Sequence, residues 1–230
     1  MENKAVLIVG ANGDLGSAVI AELKCAGYTT IGTTRQDKET TADFTIYAPD
    51  LCLSSNDKIK YELDQLLSDR ELILTTIVEM AGLGWQDNQM TEEKKKEMVT
   101  VNVDMPVYWS DAKPDAHHIL FSSCAVYGVK GTQGLTFYAD TKRNVESVMS
   151  QKCKHLTIVR PTLVDTKFAE RAGLSDFNTK GFPSAKEVAG IVVKKAVKSD
   201  KKLILPGYQA KMLHLFNCVS PQLAQKFLKV

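Results

Sequence analysis

The sequence predicts a single-domain α/β fold: a doubly wound, mostly parallel seven-stranded sheet with helices on both faces. Three observations predict it. Short apolar, β-rich runs recur along the 230 residues. They are continuous and not alternating, as expected of strands covered on both faces. Helical stretches separate most of them, and a glycine-bearing turn follows the first, which is the arrangement of repeated βα units.

The strand runs in order are AVLIVG (5–10), TTIGTT (29–34), FTIYA (44–48), LILTTIV (72–78), HILFSS (118–123), LTIVRP (156–161) and KLILPG (202–207). The helical stretches are 14–27, 56–69, 91–112, 138–152 and 184–198. Gly27 is placed to close the first helix and Ser184 to cap the last. No repeat, low-complexity tract or linker interrupts the chain, so one domain over 1–230 is expected. Its loops at 83–90, around Trp85, at 124–137 and at 167–183 follow strand ends and are expected to choose the substrate, with Phe168, Phe177 and Phe182 as apolar lining of the last. A helical tail is expected over 208–230.

Composition narrows the function. A hydrophobic share of 44% suits a chain with a buried core, and 29 basic against 27 acidic residues leave a formal charge of +2. That balance, with basic residues interleaved among acidic ones, gives no footprint for nucleic acid. Five cysteines without C-x-x-C spacing suggest neither a disulfide framework nor a zinc site. No signal-peptide pattern and no membrane-length apolar run is found, so a cytoplasmic protein is expected. The four histidines show no ligand spacing, and His117 and His118 are expected at the surface or a sheet edge.

The turn VGANGDLGSAV places Gly10, Gly13 and Gly16, with Asn12, Asp14 and Leu15 between them, at the start of a helix. Glycine there permits the tight turn, close approach of backbone to a diphosphate, and helix-to-strand packing, while the helix N-terminus favours negative charge. The second strand ends in Arg35, where an acidic residue would accept from a ribose 2′-hydroxyl. Arginine instead suits a 2′-phosphate, so NADP(H) is favoured over NAD(H). A solvated loop arginine is the plainer alternative, and Asp37 lies nearby in sequence.

With seven tyrosines in the chain, a Tyr-x-x-x-Lys/Arg such as YADTK is expected roughly once by chance. Its surroundings give it weight. The whole set resembles the short-chain dehydrogenase/reductase family, a Rossmann-type fold, from Val6 to about Phe168. PDLC, with Asp50 and Leu51, resembles the family's adenine-holding pair. EMAG stands at the family's Asn-Asn-Ala-Gly, with only Ala81 and Gly82 matching. TVNVDMP supplies Asn102, FSSCAVYG supplies Ser123, and YADTK supplies Tyr138 and Lys142. RPTLVDT resembles Pro-Gly-x-Val-x-Thr through Pro161, Val164 and Thr166. The glycine spacing and SSxxVYG resemble the extended, nucleotide-sugar branch, whereas the chain length and PTLVDT resemble the short form.

The resemblance implies hydride transfer between a nicotinamide and a small carbonyl or alcohol substrate. Tyr138 would serve as proton donor, Ser123 would hold the substrate oxygen, Lys142 would hold the nicotinamide ribose, and Asn102 would anchor a water relay. Thr166 would meet the carboxamide, with a helix cap as its other reading. Free tyrosine titrates near ~10, and bringing it to neutrality needs roughly 4 kcal/mol of phenolate stabilisation. Lys142, four positions on, shares a helix face with Tyr138 and is expected to supply part of it. Cys124 reads as small packing more than as a nucleophile.

Two other readings stay open: a dinucleotide-sensing regulator without turnover, and a nucleotide-sugar epimerase or dehydratase. In the tail, Met212, Leu213, Leu215, Phe216, Leu223, Phe227 and Leu228 fall near helical spacing. Packing on the chain's own domain is the first expectation and a homo-oligomer contact the next, with membrane contact unfavoured.

Overall fold

The computed structural model describes residues 3–35, 38–48, 53–128, 134–173, 181–199 and 201–222. Asp37, Asp50, Leu51 and Phe177 lie outside them, as do parts of the loops at 124–137 and 167–183 and the end of the tail.

Seven strands pair in parallel in the order β3-β2-β1-β4-β5-β6-β7. They are β1 (Lys4–Val9), β2 (Thr29–Thr34), β3 (Phe44–Tyr47), β4 (Ile73–Glu79), β5 (His117–Phe121), β6 (Leu156–Val159) and β7 (Leu203–Ile204). Helices α1 (Asp14–Cys25), α2 (Leu53–Asp69), α3 (Glu92–Val99), α4 (Met105–Ala112), α5 (Thr136–Lys152), α6 (Phe168–Arg171), α7 (Ala185–Val192) and α8 (Gly207–Val219) complete the order. The predicted strand at 202–207 shrinks to two paired residues, because Pro206 and Gly207 open α8.

Alternation along β1 divides the core. Val6 and Ile8 face α1 and α7 through Ile20, Leu23, Val188 and Val192. Ala5, Leu7 and Val9 face the other side, with Ile59, Leu63, Ile77 and Trp109. Because both faces of the strand are covered, its residues read as an unbroken apolar run.

The helix boundaries have local causes. Gly27, at φ +84°, closes α1, with its N–H donating to the Lys24 carbonyl (3.0 Å) and Tyr28 N–H donating to Leu23 (3.1 Å). Ser184 caps α7 in a reciprocal box with Glu187. The single helix predicted over 91–112 is interrupted by a π-helical turn, Thr100–Asp104, between α3 and α4. Such a turn inserts one residue into the helix and re-aims the side chains after it. Asn102 sits within it, fully buried.

The strand order reverses between β1 and β4, whose carboxyl ends part to leave a crevice where ligands of open α/β sheets bind. The glycine turn after β1 lies at that point.

Candidate active site

The glycine turn is shaped by what lies behind it. Gly10 adopts φ +92°, and a Cβ there would stand 2.7 Å from the Ala81 nitrogen. At Gly16 a Cβ would come within 2.5 Å of the Gly10 carbonyl oxygen, so α1 packs on the turn only without one. Gly13 differs: a Cβ would meet nothing nearer than 3.7 Å, and the residue lines the cavity. Asn12 Nδ2 donates to Thr34 Oγ1 at 2.5 Å, tying the turn to β2. Asp14 accepts from the Lys167 N–H at 2.9 Å, so the segment after β6 closes onto the turn.

One cavity of about 1210 Å³ runs from this turn across the strand ends. Gly10, Asn12, Gly13, Asp14, Leu15, Gly16, Arg35, Ala81 and Gly82 line it on one side. Ser123, Tyr138, Lys142, Pro161, Val164 and Thr166 line it further along. Asn102 supports it from behind. Its Oδ1 accepts from the Leu83 N–H (2.9 Å), and its Nδ2 donates to the Leu83 carbonyl (2.9 Å) and to Thr141 Oγ1 (3.0 Å). Thr141 in turn donates to the Tyr138 carbonyl at 2.7 Å.

Tyr138 and Lys142 share the buried face of α5, and the ammonium lies 5.8 Å from the centre of the tyrosine ring. Lys142 Nζ donates to the Phe121 carbonyl at 3.1 Å. Burial dominates both groups. It pushes the Tyr138 hydroxyl up to about 12, against a hydrogen bond with Ser123 that lowers it. It brings Lys142 down to about 8, opposed by the charge of Glu146. The expected lowering of Tyr138 by Lys142 does not enter: burial and the Ser123 hydrogen bond are what act on the phenol. Ser123 Oγ accepts from the Ala125 N–H at 3.1 Å.

Other expectations resolve differently. Arg35 is half exposed and lies 3.7 Å from Glu97, a surface pair that leaves it available. Thr166 Oγ1 accepts from the Phe168 N–H at 3.3 Å from one position before Lys167, the cap residue of α6, and Thr166 lines the cavity. Cys124 is buried and its thiol pushed up to about 12 by burial, which suits packing and not nucleophilic attack.

His118 corrects the surface expectation. It is 1% exposed, since β5 lies inside the sheet between β4 and β6. Its Nδ1 is 3.5 Å from Oε1 of Glu79, itself buried at the carboxyl end of β4. Sequence reasoning also missed Thr141 and Thr34. Thr141 had a legible signal, three residues after Tyr138 on one helix face, whereas Thr34 and Glu79 acquire partners only through strand pairing.

Glycine backbone open to the cavity at the N-terminus of α1, with an arginine at the end of β2, fits a dinucleotide. Gly13 would admit the diphosphate, and Arg35 would hold a 2′-phosphate. Among the described residues no group of His, Cys, Asp and Glu could hold a metal ion, and no helix is long and apolar enough to cross a membrane.

Fold and site together define a protein of the short-chain dehydrogenase/reductase class. Within it, the chain belongs to the NAD dependent epimerase/dehydratase family, whose model matches residues 6–151. No curated protein matches the chain. Similar solved structures include a short-chain dehydrogenase from Burkholderia cenocepacia J2315 in complex with NADP. The likeness covers 100% of both chains, with TM-score 0.77 and 13% identity. A short-chain dehydrogenase from Streptomyces avermitilis is 17% identical, with TM-score 0.75 over 96% of this chain and 95% of that one. Another, from Sphingobium yanoikuyae in complex with NADPH, is 16% identical, with TM-score 0.72 over 96% of this chain and 95% of that one. At these identities the likeness shows the fold alone.

Proposed function

We propose that this protein is an NADP(H)-dependent oxidoreductase acting on a small carbonyl or alcohol, with 1–230 as one dinucleotide-binding domain. The observation that carries the reading is the convergence of Ser123, Tyr138 and Lys142 on the cavity that also holds the glycine turn.

Bound in the crevice, the nicotinamide supplies or takes up the hydride. The chain's residues manage the proton and the geometry. Tyr138, protonated through the neutral range, donates its hydroxyl proton to the oxygen of the carbonyl being reduced. Ser123 donates a hydrogen bond to that same oxygen. The Lys142 ammonium, below about pH 8, favours the phenolate that proton transfer leaves behind. Asn102 holds Leu83 and Thr141 in place and so fixes the start of α5 relative to the β4 loop. Ala81, Gly82, Pro161, Val164 and Thr166 border the place for the nicotinamide end, and Arg35 marks the adenosine end. Asp50 and Leu51 are proposed for the adenine from the sequence resemblance alone.

NADP(H) is supported by Arg35, although the family's description names NAD. NADP and NADPH in two of the structural neighbours accord with the first choice. A second reading, epimerase or dehydratase chemistry on a nucleotide sugar, is favoured by the family match and the SSxxVYG segment.

Titration with NADPH and NADH, followed by a panel of carbonyl compounds and UDP-sugars, tests both readings. Carbonyl reduction with net consumption of NADPH, lost in Tyr138→Phe, is expected. Sugar conversion without net cofactor turnover supports the second reading, binding without turnover leaves a sensor, and no binding of either dinucleotide overturns all three.

A further inference from the structure

Among the described residues three cationic side chains line the cavity: Arg35, Lys142 and Arg171. The first two have places in the reading above. Arg171 does not, and among the described residues its side chain has neither an ion pair nor a hydrogen bond. Asp14 is the sole acid among the described lining residues, and its carboxylate already accepts from Lys167.

The course of α6 shows which part of the cavity Arg171 serves. Its beginning is tied to the glycine turn through the Lys167 N–H and Asp14. Its end is tied to the loop after β4, where Gln86 Nε2 donates to the Gly173 carbonyl at 3.1 Å. The helix therefore runs from the diphosphate side towards the substrate side, and Arg171 is at the far end. Ala169 and Ala172 pack with Leu135 and Leu163. Phe168 turns its ring towards Tyr138, with centroids 5.8 Å apart. Arg171, three residues on, shares the Phe168 face, about 5 Å further along the helix. An apolar surface next to the proposed proton donor is thus followed, one turn away, by a guanidinium with no partner among the described residues.

We propose that Arg171 binds an oxyanion carried by the substrate, which is then a carbonyl compound with an apolar body and a carboxylate or phosphate monoester at its far end. The proposal rests on the oxidoreductase reading for the reacting carbonyl, but not for the oxyanion contact. Guanidinium presents a planar donor fork that matches either group, and an apolar wall beside it strengthens the pair. Arg171 is exposed at the cavity rim, so a neutral substrate of the same shape would leave the guanidinium to water and gain nothing from it.

The test uses the full chain with NADPH and three aldehydes: 4-carboxybenzaldehyde, 4-formylphenyl phosphate and the neutral methyl 4-formylbenzoate. In Arg171→Gln the ratio of kcat/KM for the anionic aldehydes to that for the ester should fall about tenfold, chiefly through KM. Arg171→Lys should restore part of it, and whichever anion loses more identifies the group bound. Equal loss on charged and neutral aldehydes, or a parallel loss of NADPH affinity, overturns the proposal. If wild type reduces none of the three, the oxidoreductase reading takes the blow. Calorimetric titration of the NADPH-mixed protein with 4-methylbenzoate and 4-methylphenyl phosphate then decides Arg171. Binding of either, weakened about tenfold in Arg171→Gln, supports the proposal; no binding, or equal affinity in both proteins, overturns it.

Discussion

Tyr138 and Lys142 are both buried, and burial moves them in opposite directions, the phenol up to about 12 and the amine down to about 8. On the proposed function, reduction uses protonated Tyr138 and charged Lys142, so kcat/KM for carbonyl reduction should hold steady below about pH 8. It should fall above that value as the ammonium is lost, and Lys142→Met should remove the step while lowering the rate. A pH-rate profile of the two proteins checks this. Arg35→Ala should weaken NADPH binding about tenfold and leave NADH nearly as it was, since only the former offers a 2′-phosphate; paired titrations read it directly. Glu79 and His118 form a buried pair, with the carboxyl raised chiefly by burial and the imidazole raised by Glu79 in spite of burial. Both folded values lie above the unfolded ones, so the folded pair keeps protons that the unfolded chain has lost. Their contribution is present at low pH and declines as pH rises through the folded values. Urea midpoints measured across that range should fall with pH more steeply in wild type than in a Glu79→Gln/His118→Asn double variant. Glu79→Ala, which strands His118, should cost about 3 kcal/mol.

At the level of elements, the glycine turn separates two roles that one motif joins. A Cβ at Gly16 would collide with the carbonyls of Gly10 and Ala11 at 2.5 and 2.8 Å, so Gly16→Ala should lower the melting temperature itself. At Gly13 there is room for the methyl, but it would occupy the approach to the cavity. Gly13→Ala should therefore fold normally and bind NADPH at least about tenfold more weakly, as thermal melts and fluorescence titration would show. The π-helical turn at Thr100–Asp104 has a similar local logic. It aims Asn102 at Leu83 and Thr141, linking the β4 loop to α5 by three hydrogen bonds near 3 Å. The sequence of 91–112 reads as one helix, but residue types cannot reveal the one residue by which it is wound differently.

Over the whole molecule, the glycine turn, α5, α6 and the β4 loop border one cavity, so a ligand filling it binds the folded state alone. NADPH at 100 times its dissociation constant should add about 2.7 kcal/mol to stability, roughly 5 to 10 °C in melting temperature for a chain of this size. Thermal melts with and without NADPH measure it. The order of the βα units was legible because both faces of the sheet are covered: Ala5–Val9 is apolar throughout and no polar alternation interrupts it. Gly10, Gly13, Gly16, Asn102, Ser123, Tyr138 and Lys142 were legible as residue types at fixed positions along the chain. Their convergence was not, since it depends on β1, β4 and β5 lying side by side with α5 packed across them. The sequence by itself determined the repeating units, the caps at Gly27 and Ser184 and the positions of the candidate site residues along the chain, because propensity and steric demand act over a few residues. Only the tertiary structure decided that burial raises Tyr138, that His118 is an interior partner of Glu79, and that Phe168 sets its ring against Tyr138 with Arg171 lining the same cavity. Each of these depends on what another part of the chain brings within a few ångströms.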